Sequence, residues 1–377
     1  MNLTAHRADN SDSQTSSTTY LEKCPQGQEH TAHRPARGGV VSKLINQEID
    51  SLLKETSRSF YLTLKALPHR IRPQVGLLYL LARIADTIAD SESESTDQML
   101  QELEQYNELI QGRSSTLPDL SDLALIQSNP AEKKLLENFN APVSCLERFP
   151  SVDQERIREC LNIIISGQTL DLQRFGQSDG EEIAPLETEE ELDDYTYRVA
   201  GSVGEFWTHM TLEHMFKTDT ETETRLFETG VRFGKALQLI NILRDIPEDL
   251  RLGRCYIPVT SLAEYDLQPN DLLKPENIDQ FRPLFDSYID KATAHLDAAV
   301  EYIGILPPGQ FRLRAACMLP VLIGQRTLTL LRTQNVLDAE NRIKVLRPEI
   351  KRLKNKTLFS MFSRRKSLKL LATNRDS

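Results

Sequence analysis

The chain has 377 residues, 39% of them apolar, and a formal net charge of −10 at neutral pH. This length suits one large domain or two ordinary ones, and the acidic balance argues against a general role in nucleic-acid binding. The N-terminus lacks the apolar core of a signal peptide, and no apolar run approaches the roughly 20 residues that cross a bilayer. The five scattered cysteines have neither CxxC nor Cys/His spacing, which predicts a reduced cytoplasmic chain without structural zinc.

The predicted elements begin after a polar segment. Residues 1–41 are rich in Ser, Thr and Gln, and we predict that they form a disordered extension. Apolar residues then recur at helical spacing. The predicted helices lie at 42–67, at a second segment ending at Asp90, and near 97–111, 153–176, 189–217, 222–246, 277–304 and 309–334. Residues 117–132 and 176–190 are predicted to be polar loops, and strand-like alternation is absent. The pattern favours one all-α domain over 42–347 and a basic C-terminal tail over 348–377.

The second predicted helix carries two aspartates four residues apart, Asp86 and Asp90. At 100° per residue they share one narrow stripe with Tyr79 and Arg83. The opposite face of this helix is apolar and consists of Leu77, Leu81, Ile84 and Ile88. Taken alone, such a DxxxD pair is most often a solvated helix face.

A second aspartate pair, Asp245 and Asp249, repeats this spacing in "LQLINILRDIPEDLRLGRCYIP". Gln238 and Asn241 precede the pair on the same predicted stripe, and Leu239, Ile240 and Leu243 point away from it. Pro247 lies between the two aspartates, where it is predicted to kink the helix or restart it, because proline lacks a backbone donor.

Two carboxylate pairs that face one cavity repel each other unless divalent cations lie between them. Mg²⁺ prefers oxygen ligands and usually retains waters and substrate phosphates, and Asn241 adds a neutral oxygen. The nearby Arg83, Arg244 and Arg254 suit the phosphate oxygens. The pattern therefore predicts a Mg²⁺–diphosphate site with a diphosphate leaving group. Because GxxxxGK[ST] is missing, it is not a P-loop nucleotide site.

At these motifs the chain resembles the squalene and phytoene synthases, the head-to-head trans-isoprenyl diphosphate synthases. The matching stretches are "TSRSFYLTLKALP" (56–68), "YLLARIADTIADS" (79–91), "YTYRVAGSVGEFW" (195–207), "QLINILRDIPEDLRLGRCYIP" (238–258) and "AACMLPVLIGQRTLTLL" (315–331). DxxxD alone is a weak signal, whereas NxxRDxxED followed by GRxYxP is highly specific. The resemblance spans residues 56–331 in the expected order.

The resemblance implies the isoprenoid synthase fold, a single helical domain around a deep central cavity. It implies catalytic roles for Tyr195 and Arg83, and a substrate channel lined by Gln238 and the "VAGSVG" segment. The alternative is that the glycines of that segment only allow two helices to approach closely where they cross. The implied metal ligands are Asp86, Asp90, Asn241, Asp245 and Asp249. The implied substrate-binding residues are Ser57, Arg58, Ser59, Tyr79, Gln238, Arg244 and Arg254.

The implied reaction joins two farnesyl diphosphates to presqualene diphosphate, with Mg²⁺ as the metal, and NADPH then reduces the rearranged cation to squalene. "ARIADTIAD" and "CMLP" resemble squalene synthases, whereas "GRCYIP" and Asp171 depart from the eukaryotic pattern. These features favour a bacterial-type squalene synthase. A phytoene or dehydrosqualene synthase without NADPH, or an enzyme that stops at presqualene diphosphate, is the alternative. NADPH rests on the resemblance, since no GxGxxG fingerprint is present.

The remaining expectations concern partners. The segment from Lys351 to Ser377 contains nine Lys/Arg residues and one Asp, and it also contains Leu, Phe and Met. We expect a monomer that contacts membranes peripherally through this tail; a solvated helix end with a floppy tail is the alternative. A non-catalytic binding protein on the same fold is a further alternative, against which the intact motifs with Arg83, Asn241 and Tyr195 argue.

Overall fold

The structure, a computed structural model, describes residues 44–57, 60–90, 95–176 and 183–375. The predicted disordered extension and the predicted substrate-binding residues Arg58 and Ser59 lie outside these ranges. Within them almost all of the regular secondary structure is helical, apart from two paired two-residue strands, which confirms the all-α prediction. The boundaries proposed for the helical domain and the basic tail remain predictions.

The elements of the first half are α1 Gln47–Thr56, α2 Phe60–Ala66, α3 Arg72–Ala89, α4 Thr96–Ile110, α5 Ser121–Ile126, α6 Pro130–Glu137, α7 Asn140–Leu146, α8 Ser151–Phe175 and strand β1 Ala184–Pro185. Those of the second half are α9 Glu189–Thr196, the π-helical turn Tyr197–Gly201, α10 Ser202–His214, α11 Thr220–Arg251, strand β2 Arg254–Cys255, α12 Val259–Ala263, the 3₁₀ turns Pro269–Leu273 and Pro275–Asn277, α13 Ile278–Ile305, α14 Phe311–Thr333, α15 Arg347–Ser360 and α16 Arg364–Arg375.

Local sequence signals set several helix starts. The side chains of Asn46 and Asp219 accept hydrogen bonds from backbone N–H groups in the first turns of α1 and α11, as N-cap residues do. Pro73 lies in the first turn of α3, where its missing N–H costs nothing. The prediction of a polar loop over 117–132 is wrong in part, because α5 and the start of α6 lie there. The short α5 forms because Leu123 and Ala124 are buried against the body.

Helix α11 occupies the centre of the fold and packs against α10, α13 and α14, while α3 packs against α4 and α8. It continues through Pro247 without a restart and ends at Arg251. Gly253 then takes the left-handed backbone conformation, with φ of 72°, which favours glycine. The turn leads into β2, which pairs in parallel with β1 in the register Ala184↔Arg254, and so fixes Arg254 beside α11.

Backbone contact between neighbouring helices explains two glycines. A Cβ built on Gly204 of α10 would lie 1.9 Å from the carbonyl oxygen of Gly230 in α11, and one on Gly234 would lie 2.0 Å from that of Ala200. Both distances are far below van der Waals contact. The helix-crossing alternative therefore accounts for Gly204, which also lines the cavity described below.

Gly204→Ala is expected to lower the free energy of unfolding by about 2 kcal/mol or more, because two helix backbones must separate. Urea unfolding followed by circular dichroism measures this change. Gly304→Ala in α13 is the matched control, since its Cβ would meet Leu368 only at 3.7 Å. The control is expected to stabilise the protein by about 0.5–1 kcal/mol, as glycine is a poor helix former. Equal midpoints for the two variants would contradict the helix-crossing account.

The residues predicted to form a basic tail continue the fold at its C-terminal end. Helices α15 and α16 pack against α14, and Leu371 of α16 is fully buried. The amide of Gln325 in α14 donates a hydrogen bond to the carbonyl of Leu371, 3.1 Å away. Residues 347–375 are thus docked helices and not a floppy tail. No helix in the described ranges is long and apolar enough to cross a membrane.

Candidate active site

A cavity of about 690 Å³ lies between α3, α8, the π-helical turn, α10, α11 and α14. Its polar lining includes ten of the residues predicted from the sequence: Tyr79, Arg83, Asp86, Asp90, Tyr195, Gln238, Asn241, Arg244, Asp245 and Arg254. Its apolar lining includes Phe60, Ile164, Val203, Phe206, Trp207, Phe233, Ala316 and Pro320. One space therefore combines charged groups with a long apolar wall.

The first aspartate motif faces this cavity from α3. The four apolar residues on the other side of the helix (Leu77, Leu81, Ile84 and Ile88) are fully buried, so the core fixes which face points inward. Asp86 accepts a hydrogen bond from Gln168 of α8 and lies 3.8 Å from Arg83. Burial and the nearby Asp90 raise the pKa of Asp86 to about 6 despite Arg83.

The second motif faces the same cavity from α11. Asp245 is held by Arg244, and it also accepts a 2.8 Å hydrogen bond from Arg342 in the loop before α15. Burial opposes its charged form, but the hydrogen bonds and charges of these two arginines outweigh burial and lower the pKa of Asp245. Sequence reasoning missed Arg342, which is 97 residues away along the chain; no local pattern indicates it.

Asp249 differs from the other predicted ligands in its position. It lies behind the cavity wall, beside Ile246, Arg254 and Tyr256. Burial, together with repulsion from Asp245, raises the pKa of Asp249 to about 7 although Arg254 opposes the shift. In this conformation Asp249 is a neighbour of the cavity and not part of its lining.

A buried chain of hydroxyl groups connects Tyr195 to an aspartate that sequence reasoning did not assign. The Tyr195 hydroxyl donates to that of Tyr256 at 3.3 Å, and Tyr256 in turn donates to Asp171 of α8. The two tyrosine rings stack with their centroids 4.9 Å apart. Burial raises the pKa of Asp171 to about 6, although the Tyr256 hydrogen bond and Arg254 favour its charged form. The sequence marks Asp171 as a departure from the eukaryotic pattern but gives it no role in the site.

The predicted substrate-binding residues are not all in the cavity. Ser57 is buried, and its hydroxyl donates to the carbonyl of Leu53 at the end of α1. Tyr79 lines the cavity while its hydroxyl donates to the carbonyl of Thr56, 3.0 Å away, and its ring stacks on Phe60. Ser57 therefore supports the wall near Tyr79 and does not reach the cavity in this conformation.

The donor set fits Mg²⁺ and diphosphate. Asp86, Asp90, Asn241 and Asp245 place carboxylate and amide oxygens around one space, which are the ligands that Mg²⁺ prefers. Among the described residues no three acidic, His or Cys side chains converge closely enough to hold a metal ion alone. Diphosphate and water oxygens would therefore complete the coordination, as is usual for Mg²⁺.

One cationic donor on the cavity wall has no acceptor among the described residues. The Nε of Arg83 is buried and makes no hydrogen bond with any of them, although Arg83 lines the cavity beside Asp86. A buried donor without a partner is costly, and a phosphate oxygen satisfies a guanidinium well. Arg254, 3.7 Å from Asp90, lies on the same cavity and gives a second cation for an anionic substrate.

Comparison with known proteins assigns the family. The model of the squalene/phytoene synthase family matches residues 53–349, and the chain belongs to this family of prenyltransferase-type enzymes. Among curated relatives, the bifunctional lycopene cyclase/phytoene synthase of Gibberella fujikuroi is 30% identical over 261 residues, and that of Phaeosphaeria nodorum is 31% identical over 265. Each alignment covers 68% of this chain but only 43% and 41% of the relative, so the chain spans about two fifths of their length.

Solved structures give the fold. The structure of TcSQS with the ligand E5700 superposes with a TM-score of 0.70 at 20% identity, over 87% of this chain and 90% of that one. A dehydrosqualene synthase in complex with a ligand gives 0.56 at 23% identity, over 82% and 94%. Squalene synthase HpnC from Alicyclobacillus acidocaldarius gives 0.53 at 20% identity, over 79% and 98%. These matches confirm the predicted isoprenoid synthase fold.

Proposed function

We propose that the chain condenses two farnesyl diphosphates head to head to presqualene diphosphate. It would then convert this intermediate to squalene by loss of the second diphosphate, rearrangement and transfer of a hydride from NADPH. The observation that carries the proposal is that one cavity is lined by Asp86 and Asp90 of the first motif, by Asp245 of the second, by three arginines and by a long apolar wall. Charged diphosphates and apolar prenyl chains need this combination. The motifs that resemble squalene synthases, "ARIADTIAD" and "CMLP", support the choice of product.

In the proposed first step, a C–O bond of one farnesyl diphosphate breaks and diphosphate departs, which leaves an allylic cation. The double bond of the second substrate attacks this cation, and loss of a proton closes a cyclopropane ring. Arg83, Arg244 and Arg254 would bind the departing diphosphate, because they are the cations that line the cavity among the described residues. The apolar residues of α10 and α14 would exclude water from the cations.

Mg²⁺ is proposed to bind Asp86, Asp90, Asn241 and Asp245, with Asp249 joining if α11 rearranges near its end. When bound, Mg²⁺ neutralises diphosphate and stabilises it as a leaving group. Tyr195 is proposed as the catalytic tyrosine, since it lines the cavity, and Asp171 as the positioning residue behind it. Gln238 and Tyr79 are proposed to line the prenyl channel. The monomeric state, the cytoplasmic location and NADPH as hydride donor remain predictions.

A phytoene synthase is the second candidate function, and one observation favours it. The curated relatives named above are bifunctional enzymes with a phytoene synthase activity in their names. "GRCYIP" is also closer to the bacterial and phytoene-type pattern than to the eukaryotic squalene synthase pattern. The chemistry of diphosphate departure is the same for both candidates, so they differ in prenyl chain length and in the need for NADPH.

Product analysis tests the proposed function. Purified protein is incubated with Mg²⁺ and either farnesyl or geranylgeranyl diphosphate, each with and without NADPH, and the products are identified by mass spectrometry. We expect squalene from farnesyl diphosphate only when NADPH is present. Phytoene from geranylgeranyl diphosphate without NADPH would replace squalene synthase by the second candidate, and the absence of any condensed product would overturn both.

A further inference from the structure

Three apolar side chains are exposed at the turn between α15 and α16. Phe359 is 84% exposed, Phe362 is 70% exposed and Leu358 is 50% exposed. Single exposed apolar residues are common on protein surfaces, whereas a group of large ones marks an interaction site. We call this group, Leu358, Phe359 and Phe362, the aromatic corner.

The aromatic corner is a fixed part of the fold. The fully buried side chain of Arg314 in α14 donates to the carbonyl of Met361 at 3.1 Å and to that of Pro307 at 2.8 Å. On the other side of the turn, the buried hydroxyl of Ser367 donates to the carbonyl of Ser360 at 3.0 Å. Because the backbone is held at both ends, the exposure of the two phenylalanines is a property of the folded protein.

Both helices that meet at the aromatic corner carry exposed cations. The exposed basic residues of α15 and α16 are Lys351, Arg352, Lys356, Arg364, Arg365, Lys366 and Lys369. None of them forms an ion pair with a described residue. The only acid in these two helices, Glu349, is paired with Arg326 at 2.7 Å. The surface is therefore an apolar tip within a field of uncompensated positive charge.

We propose that the aromatic corner binds the surface of an anionic lipid bilayer, with Phe359 and Phe362 entering the interface. Aromatic side chains partition into the headgroup region, and Lys/Arg around them attract anionic lipids. A nucleic acid also attracts cations, but it offers no apolar layer for two phenylalanines on a convex turn. Because the whole chain has a net charge of −10, this basic surface is where anionic lipids are attracted to the protein.

The position of the corner connects it to the cavity. The ring of Phe362 packs on that of Phe311, the first residue of α14, with centroids 5.1 Å apart. Ala316 and Pro320 of the same helix line the cavity, about 8 and 14 Å further along the helix axis. A membrane bound at the corner would thus lie close to the apolar wall of the cavity. Release of an apolar product into that membrane rests on the proposed function, whereas lipid binding by the corner does not depend on it.

Vesicle sedimentation of the full chain tests the proposal. Wild type is expected to pellet with vesicles of phosphatidylcholine and phosphatidylserine, and far less with phosphatidylcholine alone. Phe359→Ser is the safest variant, since this ring is 84% exposed and makes no aromatic contact with a described residue. The double variant Phe359→Ser/Phe362→Ser is expected to weaken binding about tenfold or more. Leu125→Ser, at a residue 71% exposed in α5, is the matched control and should bind like wild type.

Several results would overturn the proposal: binding of wild type and both phenylalanine variants to the same extent, equal binding to neutral vesicles, or no sedimentation. A general polyanion site would be indicated instead if Phe359→Ser/Phe362→Ser kept its binding to the vesicles and Arg364→Gln/Arg365→Gln lost it. Diphosphate release by the serine variants in vesicle-free buffer is expected to equal that of wild type. The two proposals are therefore tested separately. Sedimentation reports lipid binding even if the proposed function is wrong, and diphosphate release reports the proposed function even if lipid binding is absent.

Discussion

Asp86→Asn and Asp245→Asn are each expected to reduce turnover of farnesyl diphosphate by about 100-fold or more, while the fold is retained. Each change removes a charge from one side of the cavity, and both motifs are expected to be needed because the proposed ligands come from two helices, α3 and α11. An amide keeps the shape and one oxygen of the carboxylate, so packing changes little. The measurement is steady-state product formation at several Mg²⁺ concentrations, with thermal unfolding by circular dichroism as the check on folding.

Glu228→Gln is the matched control for this prediction. Glu228 lies on α11, like Asp245, but it is exposed to solvent and does not line the cavity. Its loss removes the same charge from the same helix and is expected to leave turnover unchanged. If either aspartate variant keeps wild-type turnover at every Mg²⁺ concentration, the assignment of that aspartate as a metal ligand is wrong.

The second large effect is expected for the hydroxyl chain that ends at Asp171. Asp171→Asn removes the charged acceptor of the Tyr256 hydroxyl, and Tyr256→Phe removes the group between Asp171 and Tyr195. Each is expected to lower kcat about 10- to 100-fold, because Tyr195 is then positioned less accurately in the cavity. KM should change less than kcat, since none of the three groups is among the arginines proposed to bind diphosphate.

A double-mutant cycle separates this positioning role from simple damage. If Asp171 acts through Tyr256, the double variant Asp171→Asn/Tyr256→Phe is expected to be no slower than the slower single variant. Tyr288→Phe is the matched control, because the buried Tyr288 also donates to a carboxylate, Glu189, but lies outside the cavity lining. Multiplicative losses in the double variant, or an equal loss in Tyr288→Phe, would refute the positioning role.

Helical periodicity is sufficient to predict much of this site. Both aspartate stripes fall on cavity-facing sides of α3 and α11 because their opposite faces are apolar and must be buried. Asp249 shows the limit of that reasoning. Its spacing from Asp245 predicts the same direction, but the side chain lies beside Arg254 behind the wall, since local packing at the helix end decides where it points.

Other parts of the site depend on contacts that sequence spacing does not show. Arg342 reaches Asp245 across 97 residues, and Gln168 reaches Asp86 across 82. Asp171 meets Tyr256 only because β2 pairs with β1 and brings the chain back to α8. The docking of α15 and α16 likewise depends on the buried Arg314. Each of these contacts is tertiary, and a single sequence carries no periodic signal for it.

We propose that the cavity between α3 and α11 ionises a prenyl diphosphate with the help of Mg²⁺. The most direct test is the release of inorganic diphosphate from farnesyl diphosphate by the purified full chain, measured with Mg²⁺ and again after chelation with EDTA. We expect release with Mg²⁺, loss of release on chelation and recovery when Mg²⁺ is restored. No release with Mg²⁺, or release at the same rate in EDTA, would contradict this proposal.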